Sequence, residues 1–343
     1  MDMDVMVTSS RWSAVADLAR TVEAEGLSGL LFTESGRTPW MNLAAAAAAA
    51  PSLDLSTGVA VAFVRSPMVT ASLAWELAEE TGGRFRLGLG SQVKAHVERR
   101  YSAEFDPPGP RLRDYVLAVR ACHRAFSGEE PLRHEGPYYR LTLLPPTWAP
   151  RPHQFPVPID VSAVGPWMCA MAGEVADGIH VHPLHSLPYL HNRLLPAVAE
   201  GAARAGREPT DVELTVPVFA IPGDTPEEQA PLLAVARTQI AFYGSTRNYA
   251  FQFDDLGFEG TSAKLNEHLK AGDLDAMAAT ITDDMLDHFA VAARWDELAD
   301  RLIERYGGLA TRLVMYTAEW SMRADPKNAG RWGEVARAVR AAA

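Results

Sequence analysis

Two histidines spaced one residue apart stand out among the side chains able to do chemistry. In His180-Val181-His182-Pro183, strand alternation puts both imidazoles on one side, with His185 and His191 close behind. Neutral imidazoles can ligate zinc, but a catalytic zinc also needs ligands from neighbouring strand ends. The first such end, Thr8-Ser9-Ser10, supplies neither histidine nor carboxylate. No metal is therefore expected, and His182 reads as a pocket-lining residue. Glycines in Leu87-Gly88-Leu89-Gly90-Ser91-Gln92 let a backbone approach a flat ligand closely, although a tight turn explains the same spacing. Ser162-Ala163-Val164-Gly165-Pro166 starts a helix whose open N–H groups and dipole suit a phosphate, an ordinary helix start being the plainer alternative. Glu34 and Trp40 follow another strand-like run. His96, Arg99, Arg100 and Tyr101 cluster as an anion site or as a solvated helix face.

What must position these residues is a succession of short strands and longer helices. Val5 to Val7, Gly29 to Phe32, Leu55 to Ala62 and Arg84 to Gly90 are the first four strand-like runs, the third nearly unbroken and apolar as in parallel strands covered on both faces. Ile159 to Val161, Gly178 to His182, Val212 to Ala220 and Thr311 to Tyr316 continue the series. Between them, Val15, Leu18, Ala19 and Val22 recur at helical spacing. Ser66-Pro67 offers an N-cap followed by proline at the first helical position. Leu112, Tyr115, Val116, Val119, His123 and Phe126 share one helix face, and Thr225-Pro226-Glu227-Glu228 reads as a capping box opening a helix after the seventh strand. Eight strands, each followed by a helix, predict one α/β domain over 1–343, a (β/α)8 TIM barrel. Two stretches break the rhythm and read as insertion segments, a proline-rich one at about 127–157 and a partly helical one at about 244–293. In such a barrel, chemistry lies on the loops after the C-terminal ends of the strands.

Composition narrows the function classes. Lys and Arg number 32 against 43 Asp and Glu, a formal net charge of −11. That is the opposite of the basic footprint of a nucleic-acid binder, and it disfavours docking on an anionic membrane. The apolar run Ala44 to Ala50 is far too short to span a bilayer. Met1-Asp2-Met3-Asp4 carries acids where a signal peptide needs cations, so a cytoplasmic location is expected. Cys122 and Cys169 sit in apolar helical stretches and form neither a disulfide framework nor a metal knuckle. No Gly-x-Ser-x-Gly, Walker loop or Gly-x-Gly-x-x-Gly fingerprint occurs, which argues against serine hydrolases, P-loop enzymes and Rossmann-type dehydrogenases.

Longer segments carry a resemblance to a known family. Arg65-Ser66-Pro67, Thr81-Gly82-Gly83-Arg84-Phe85-Arg86-Leu87-Gly88-Leu89-Gly90, Ala163-Val164-Gly165-Pro166 and Ala172-Gly173-Glu174-Val175-Ala176-Asp177-Gly178 resemble the bacterial luciferase-like flavin and deazaflavin oxidoreductases. The likeness covers most of the chain. Gly90-Ser91-Gln92-Val93-Lys94-Ala95-His96, together with His180 to Pro183, is similar to the actinobacterial branch predicted to use coenzyme F420. The resemblance implies a tricyclic cofactor, F420 or alternatively FMN, across the barrel's C-terminal mouth. It implies a non-proline cis peptide near Ala62-Phe63, pressed on the ring. It places the phosphate on the Gly165-Pro166-Trp167-Met168 segment beside Ser162, with Ser91, Gln92 and His96 along the ribityl chain or ring. Lys94, Arg99 and Arg100 are the cations expected to offset the acidic surface.

Sugar-phosphate dehydrogenases of this family place a histidine after the second strand and a glutamate after the fourth. This chain has Ser35 and Val93 there, so that reaction is not expected. Glu34, His96 and His182 remain as catalytic candidates, with Ser35, Trp40, Tyr101 and His182 towards substrate. The resemblance implies F420-dependent hydride transfer to an activated C=C or C=N bond of a small-molecule or modified-peptide intermediate. Both insertions would form the lid, and the chain would pair as a homodimer. Alternatives are a monooxygenase using reduced FMN and oxygen, a cofactor-binding barrel without turnover and, last, a zinc hydrolase.

Overall fold

The computed structural model describes residues 1–8 and 10–342; Ser9 of the first strand exit lies outside them. Eight parallel strands close into the predicted barrel: β1 (Asp2–Val7), β2 (Gly29–Phe32), β3 (Asp54–Thr57), β4 (Phe85–Gly90), β5 (Ile159–Ser162), β6 (Gly178–His180), β7 (Glu213–Pro222) and β8 (Arg312–Met315). Strand β7 completes the ring, pairing Thr215 with His180 of β6 and Val216 with Leu313 of β8. Val5 of β1 lies opposite Met315 of β8.

Alternation along β4 shows how one strand serves two layers. Phe85, Leu87 and Leu89 are fully buried in the core shared with Leu112, Tyr115 and Val119 of helix Pro108–Ser127. Arg86, Gly88 and Gly90 turn into the barrel instead. Arg86 binds Asp160 (2.7 Å) and Glu213 (2.8 Å), and Arg312 binds Asp4 (2.7 Å) and Asp54 (2.8 Å), so the barrel floor is ionic. Ser66 caps its helix as the spacing predicts, its Oγ accepting from Val69 N at 3.3 Å. Thr225 Oγ1 accepts likewise from Glu228 N (3.3 Å), but the Glu228 carboxylate accepts from Asp224 N (2.8 Å), so the box is not reciprocal. Cys122 and Cys169 are buried free thiols. Among the described residues, no helix is long and apolar enough to cross a membrane.

The first insertion does not cover the mouth, contrary to the lid expectation. It follows helix Pro108–Ser127, so it starts at the far end of the barrel and runs back along the outside of the helix layer. A hairpin of His134–Glu135 and Arg140–Leu141 is pinned there to buried Asp114, which accepts from Tyr138 N and Tyr139 N at 2.9 Å each. His153 stacks on Trp75 at 3.8 Å. None of residues 127–157 lines the mouth cavity.

The second insertion does cover the mouth, and it begins earlier than expected. Helix Pro226–Gly244 packs with helices Thr261–Ala271, Leu274–Ala279 and Asp283–Phe289 around a separate core of Leu232, Ile240, Phe253, Leu265 and Phe289. The helix that packs on the barrel in this unit is Leu298–Tyr306, whose Leu298, Leu302 and Tyr306 join the main core. A short strand inside the insertion, Ala290–Ala293, extends the end of β7, with Phe219 opposite Ala290. Helical periodicity is the same for a helix on the barrel and one on the excursion, so pattern alone does not separate them.

Candidate active site

The strand exits converge on one cavity of about 860 Å³ at the barrel mouth, within the range of small-molecule sites. Its base is laid by inward side chains of the strands, among them Met6, Leu31, His180 and Thr215. Gln239, Tyr243 and Tyr249 of the helical excursion wall it above, with Tyr316 and Trp320 after β8.

One side of the cavity is backbone. Gly58–Val59 is a cis, non-proline peptide, and both residues line the cavity. The resemblance implied that feature near Ala62-Phe63, which is corrected: those two residues open a short 3-10 turn, are buried and line no part of the cavity. The apolar run Leu55 to Ala62 is two pieces, broken at Gly58, where glycine in a strand pattern is the readable sign. Gly90 lies against this wall, since a Cβ built on it would stand 2.5 Å from Val59 Cγ2. Gly90→Ala is expected to push Val59 into the ligand's space and weaken binding about tenfold, at a cost of about 1–3 kcal/mol. Titration of the variant with whichever of F420 or FMN the wild type binds checks this.

A second side is a helix start. Helix Pro166–Val175 reaches the cavity through Gly165 and Met168. No side chain caps it, so the first N–H groups, those of Trp167 and Met168, lack helical partners. A Cβ on Gly165 would meet nothing within 4 Å, and the Ser162 hydroxyl lines the same side. This open cradle of donors fits the phosphate of an F420- or FMN-type cofactor. The Trp167 side chain takes no part, because it turns out against Gly109; Pro166 also lines no part of the cavity. Lys94 is the one cation lining the cavity among the described residues, and it is engaged by Asp106 and Glu98. Arg99 lies on the exposed face nearby, and Arg100 donates to Ser35 O at 2.8 Å.

The predicted acid–base residues separate sharply. Glu34 lines the cavity, but Oε2 accepts from Val61 N (2.8 Å) and Arg65 Nη1 (3.0 Å), and Oε1 accepts from Arg65 Nη2. A carboxylate held twice by a guanidinium braces the Ala60–Val61 segment against β2 rather than donating a proton. His182 also lines the cavity, with Tyr243 edge-on at 4.9 Å and Tyr249 at 4.5 Å. Its Nδ1 accepts from Leu184 N (3.0 Å), which assigns the ring proton to Nε2. Burial, reinforced by the nearby His185, pushes its pKa down to about 3. The neutral ring can polarise a ligand through Nε2–H but is a poor source of a proton. His185 supports this loop from behind: the Tyr306 hydroxyl donates to its Nε2 (3.2 Å), and its Nδ1–H donates to His182 O (2.9 Å).

Ser35, Ser91 and Gln92 line the cavity, whereas His96, Tyr101 and Trp40, like Ala62, Phe63, Pro166 and Trp167, do not. His96 sits on the exposed face of helix Lys94–Arg99, Tyr101 lies under Arg100 at 5.0 Å, and Trp40 is buried beneath Arg65 at 5.7 Å. Among the described residues, no three His, Cys, Asp or Glu side chains gather as metal ligands would. Sequence reasoning missed Gln239, Tyr243, Tyr249, Tyr316 and Trp320. It also missed the role of Thr8, whose N and Oγ1 both donate to Glu319 Oε2 at 3.0 and 3.1 Å. The readable signal was the aromatic cluster Phe242, Tyr243, Tyr249 and Phe251 around the end of a helix.

Fold and site together define an α/β-barrel protein with a cavity at its C-terminal mouth, walled by a glycine-lined backbone segment on one side and an open helix start on another. A model of the luciferase-like monooxygenase family matches residues 2–312, and the chain belongs to that family. It is 37% identical over 300 residues to an uncharacterised protein of Mycobacterium tuberculosis, covering 87% of this chain and 88% of that one. It is 26% identical over 305 residues to a putative coenzyme F420-dependent oxidoreductase of the same organism, covering 84% and 86%. In fold it matches the F420-dependent tetrahydromethanopterin reductase of Methanopyrus kandleri, with a TM-score of 0.79, 19% identity and 97% of each chain covered. The chain is a luciferase-like oxidoreductase.

Proposed function

We propose that the protein is an F420-dependent oxidoreductase acting on an activated C=C or C=N bond of a small-molecule or modified-peptide intermediate. The observation that carries this reading is the mouth cavity, where an uncapped helix start and a bare Gly58–Val59 wall share one space with a neutral, hydrogen-bonding histidine. The 26% identity to a putative F420-dependent oxidoreductase supports it. Bound deazaflavin supplies hydride. The chain's own residues do the rest: Ser162 and the Trp167 and Met168 amides hold the phosphate, and Gly58, Val59 and Gly90 give the ring a close, flat backing. His182 donates from Nε2–H to the electronegative atom of the acceptor, and Tyr243, Tyr249 and Tyr316 exclude water from it. Glu34 and Lys94 are already paired, so this wall suits an acceptor that is neutral around the reacting bond.

Titrating the purified protein separately with F420 and FMN tests the reading. Tight F420 binding without comparable FMN binding is expected. Tight FMN binding with none for F420 would sink it in favour of a monooxygenase using reduced FMN and oxygen, the reading that the family's own description favours. F420 binding without oxidation of reduced F420 by any of a broad panel of activated alkenes and imines would point to a cofactor-binding barrel without turnover.

A further inference from the structure

We propose that His180, rather than His182, carries the proton of this site, steadied from behind by Asp160 and Arg86. The reaction it serves rests on the F420 reading; the pair itself does not. His180 ends β6, is 7% exposed and lines the base of the cavity. Its Nε2 turns away from the mouth, stands 3.5 Å from Asp160 Oδ2 and has no hydrogen-bond partner. Gly88 makes room for it: a Cβ there would stand 2.6 Å from that nitrogen and 2.0 Å from Thr57 O. Nδ1 is left to face the cavity. A buried ring nitrogen beside a fixed carboxylate is satisfied once it carries a proton that points at the carboxylate.

Asp160 is fixed by Arg86 through Nε to Oδ2 (3.0 Å) and Nη2 to Oδ1 (2.7 Å). Burial opposes its ionisation, but His180 and Arg86 outweigh that and hold its pKa at about 2. The groups facing His180 are therefore the Asp160 carboxylate from β5, Arg86 from β4, the uncharged Thr215 from β7 and His182 two residues on. Arg86 also binds Glu213 at 2.8 Å. His182 has its Nδ1 committed to the backbone and its ring among tyrosines, so it lacks any such counter-charge. In the proposed step, the acceptor's double bond takes the hydride at one atom. The displaced π pair then takes the proton of the His180 imidazolium at the other. The imidazole recharges with the proton released when the dihydrodeazaflavin is oxidised.

Two readouts test this. In ligand-free protein with ¹⁵N-labelled histidine, the neutral His180 ring, its signals assigned by their loss in His180→Gln, should carry its proton on Nε2, facing Asp160, with Nδ1 bare. Asp160→Asn, which replaces the carboxylate facing Nε2 by an amide, should move that tautomer balance towards Nδ1–H by about tenfold or more. With F420 bound, His180→Gln should lower turnover by about 10²-fold or more while F420 affinity stays within about twofold. An unchanged His180 tautomer in Asp160→Asn, or wild-type turnover in His180→Gln, overturns the proposal. Absence of F420 binding in the wild type overturns the deazaflavin reading instead, and the tautomer measurement, which needs no cofactor, still decides the pair.

Discussion

Arg65→Met should destabilise the chain by about 3–5 kcal/mol and remove most of its cofactor affinity at the same time. Glu34 keeps only 4% of its side chain exposed and Arg65 16%, so their ion pair lies largely out of water. Removing the guanidinium leaves the carboxylate with Val61 N as its remaining partner in the wall that Gly58 and Val59 build. An uncompensated buried charge is costly, whereas replacing both partners by apolar groups is often close to neutral. The double variant Arg65→Met, Glu34→Leu should therefore recover more than half of the lost stability while binding stays weak, because Val61 N has lost its acceptor. Urea unfolding and F420 titration of the single and double variants check both halves. Stability of Arg65→Met within about 1 kcal/mol of wild type would show that the pair is no brace.

Acidification should weaken the fold well before its carboxylates titrate. Burial holds the pKa of His185 and of His123 down to about 4, and that of His182 down to about 3. In the unfolded chain these rings take up protons near pH 6.5. Below that pH the unfolded state binds more protons than the folded one, so stability is full above about pH 6.5 and is lost as pH falls towards 4. His185, buried between Tyr306 and the His182 carbonyl, alone accounts for up to about 3 kcal/mol of that loss. Asp160 has the same sign but a lower window: held at about 2, it adds stability that disappears only below about pH 4. Melting temperature should drop by more than about 5 °C between pH 7 and pH 4.5. His185→Gln should melt lower at pH 7 yet show a shallower pH slope. A flat profile over that range would contradict the buried neutral histidines.

The eight barrel strands were legible as short runs rich in apolar residues between stretches of helical spacing; the charges among them, Asp4, Arg86, Asp160 and Arg312, pair with one another in the barrel floor. The helix start at Gly165-Pro166 was legible for a similar reason, since its signal is local: proline at the first helical position, preceded by a glycine that has no side chain to cap the N–H groups. His180 and His182 were visible as a pair on one side of a strand. Alternation gave no sign that one would lie among tyrosines and the other over an ionised aspartate. Glu34 read as a free acid because its partner, Arg65, is 31 residues away and arrives only when the segment after β3 folds back over β2.

The chain's order of strands and helices, its acidic surface and its one-residue spacing of histidines were determined by the sequence alone, because burial pattern, charge and alternation are properties of neighbouring residues. Which side chains share the mouth was decided only by the tertiary structure. Barrel closure turned His96, Tyr101 and Trp40 away and brought Tyr243, Tyr249 and Tyr316 in. It also delivered one insertion to the outer helix layer and the other to the mouth, since a segment that follows a helix and one that follows a strand begin at opposite ends of the barrel.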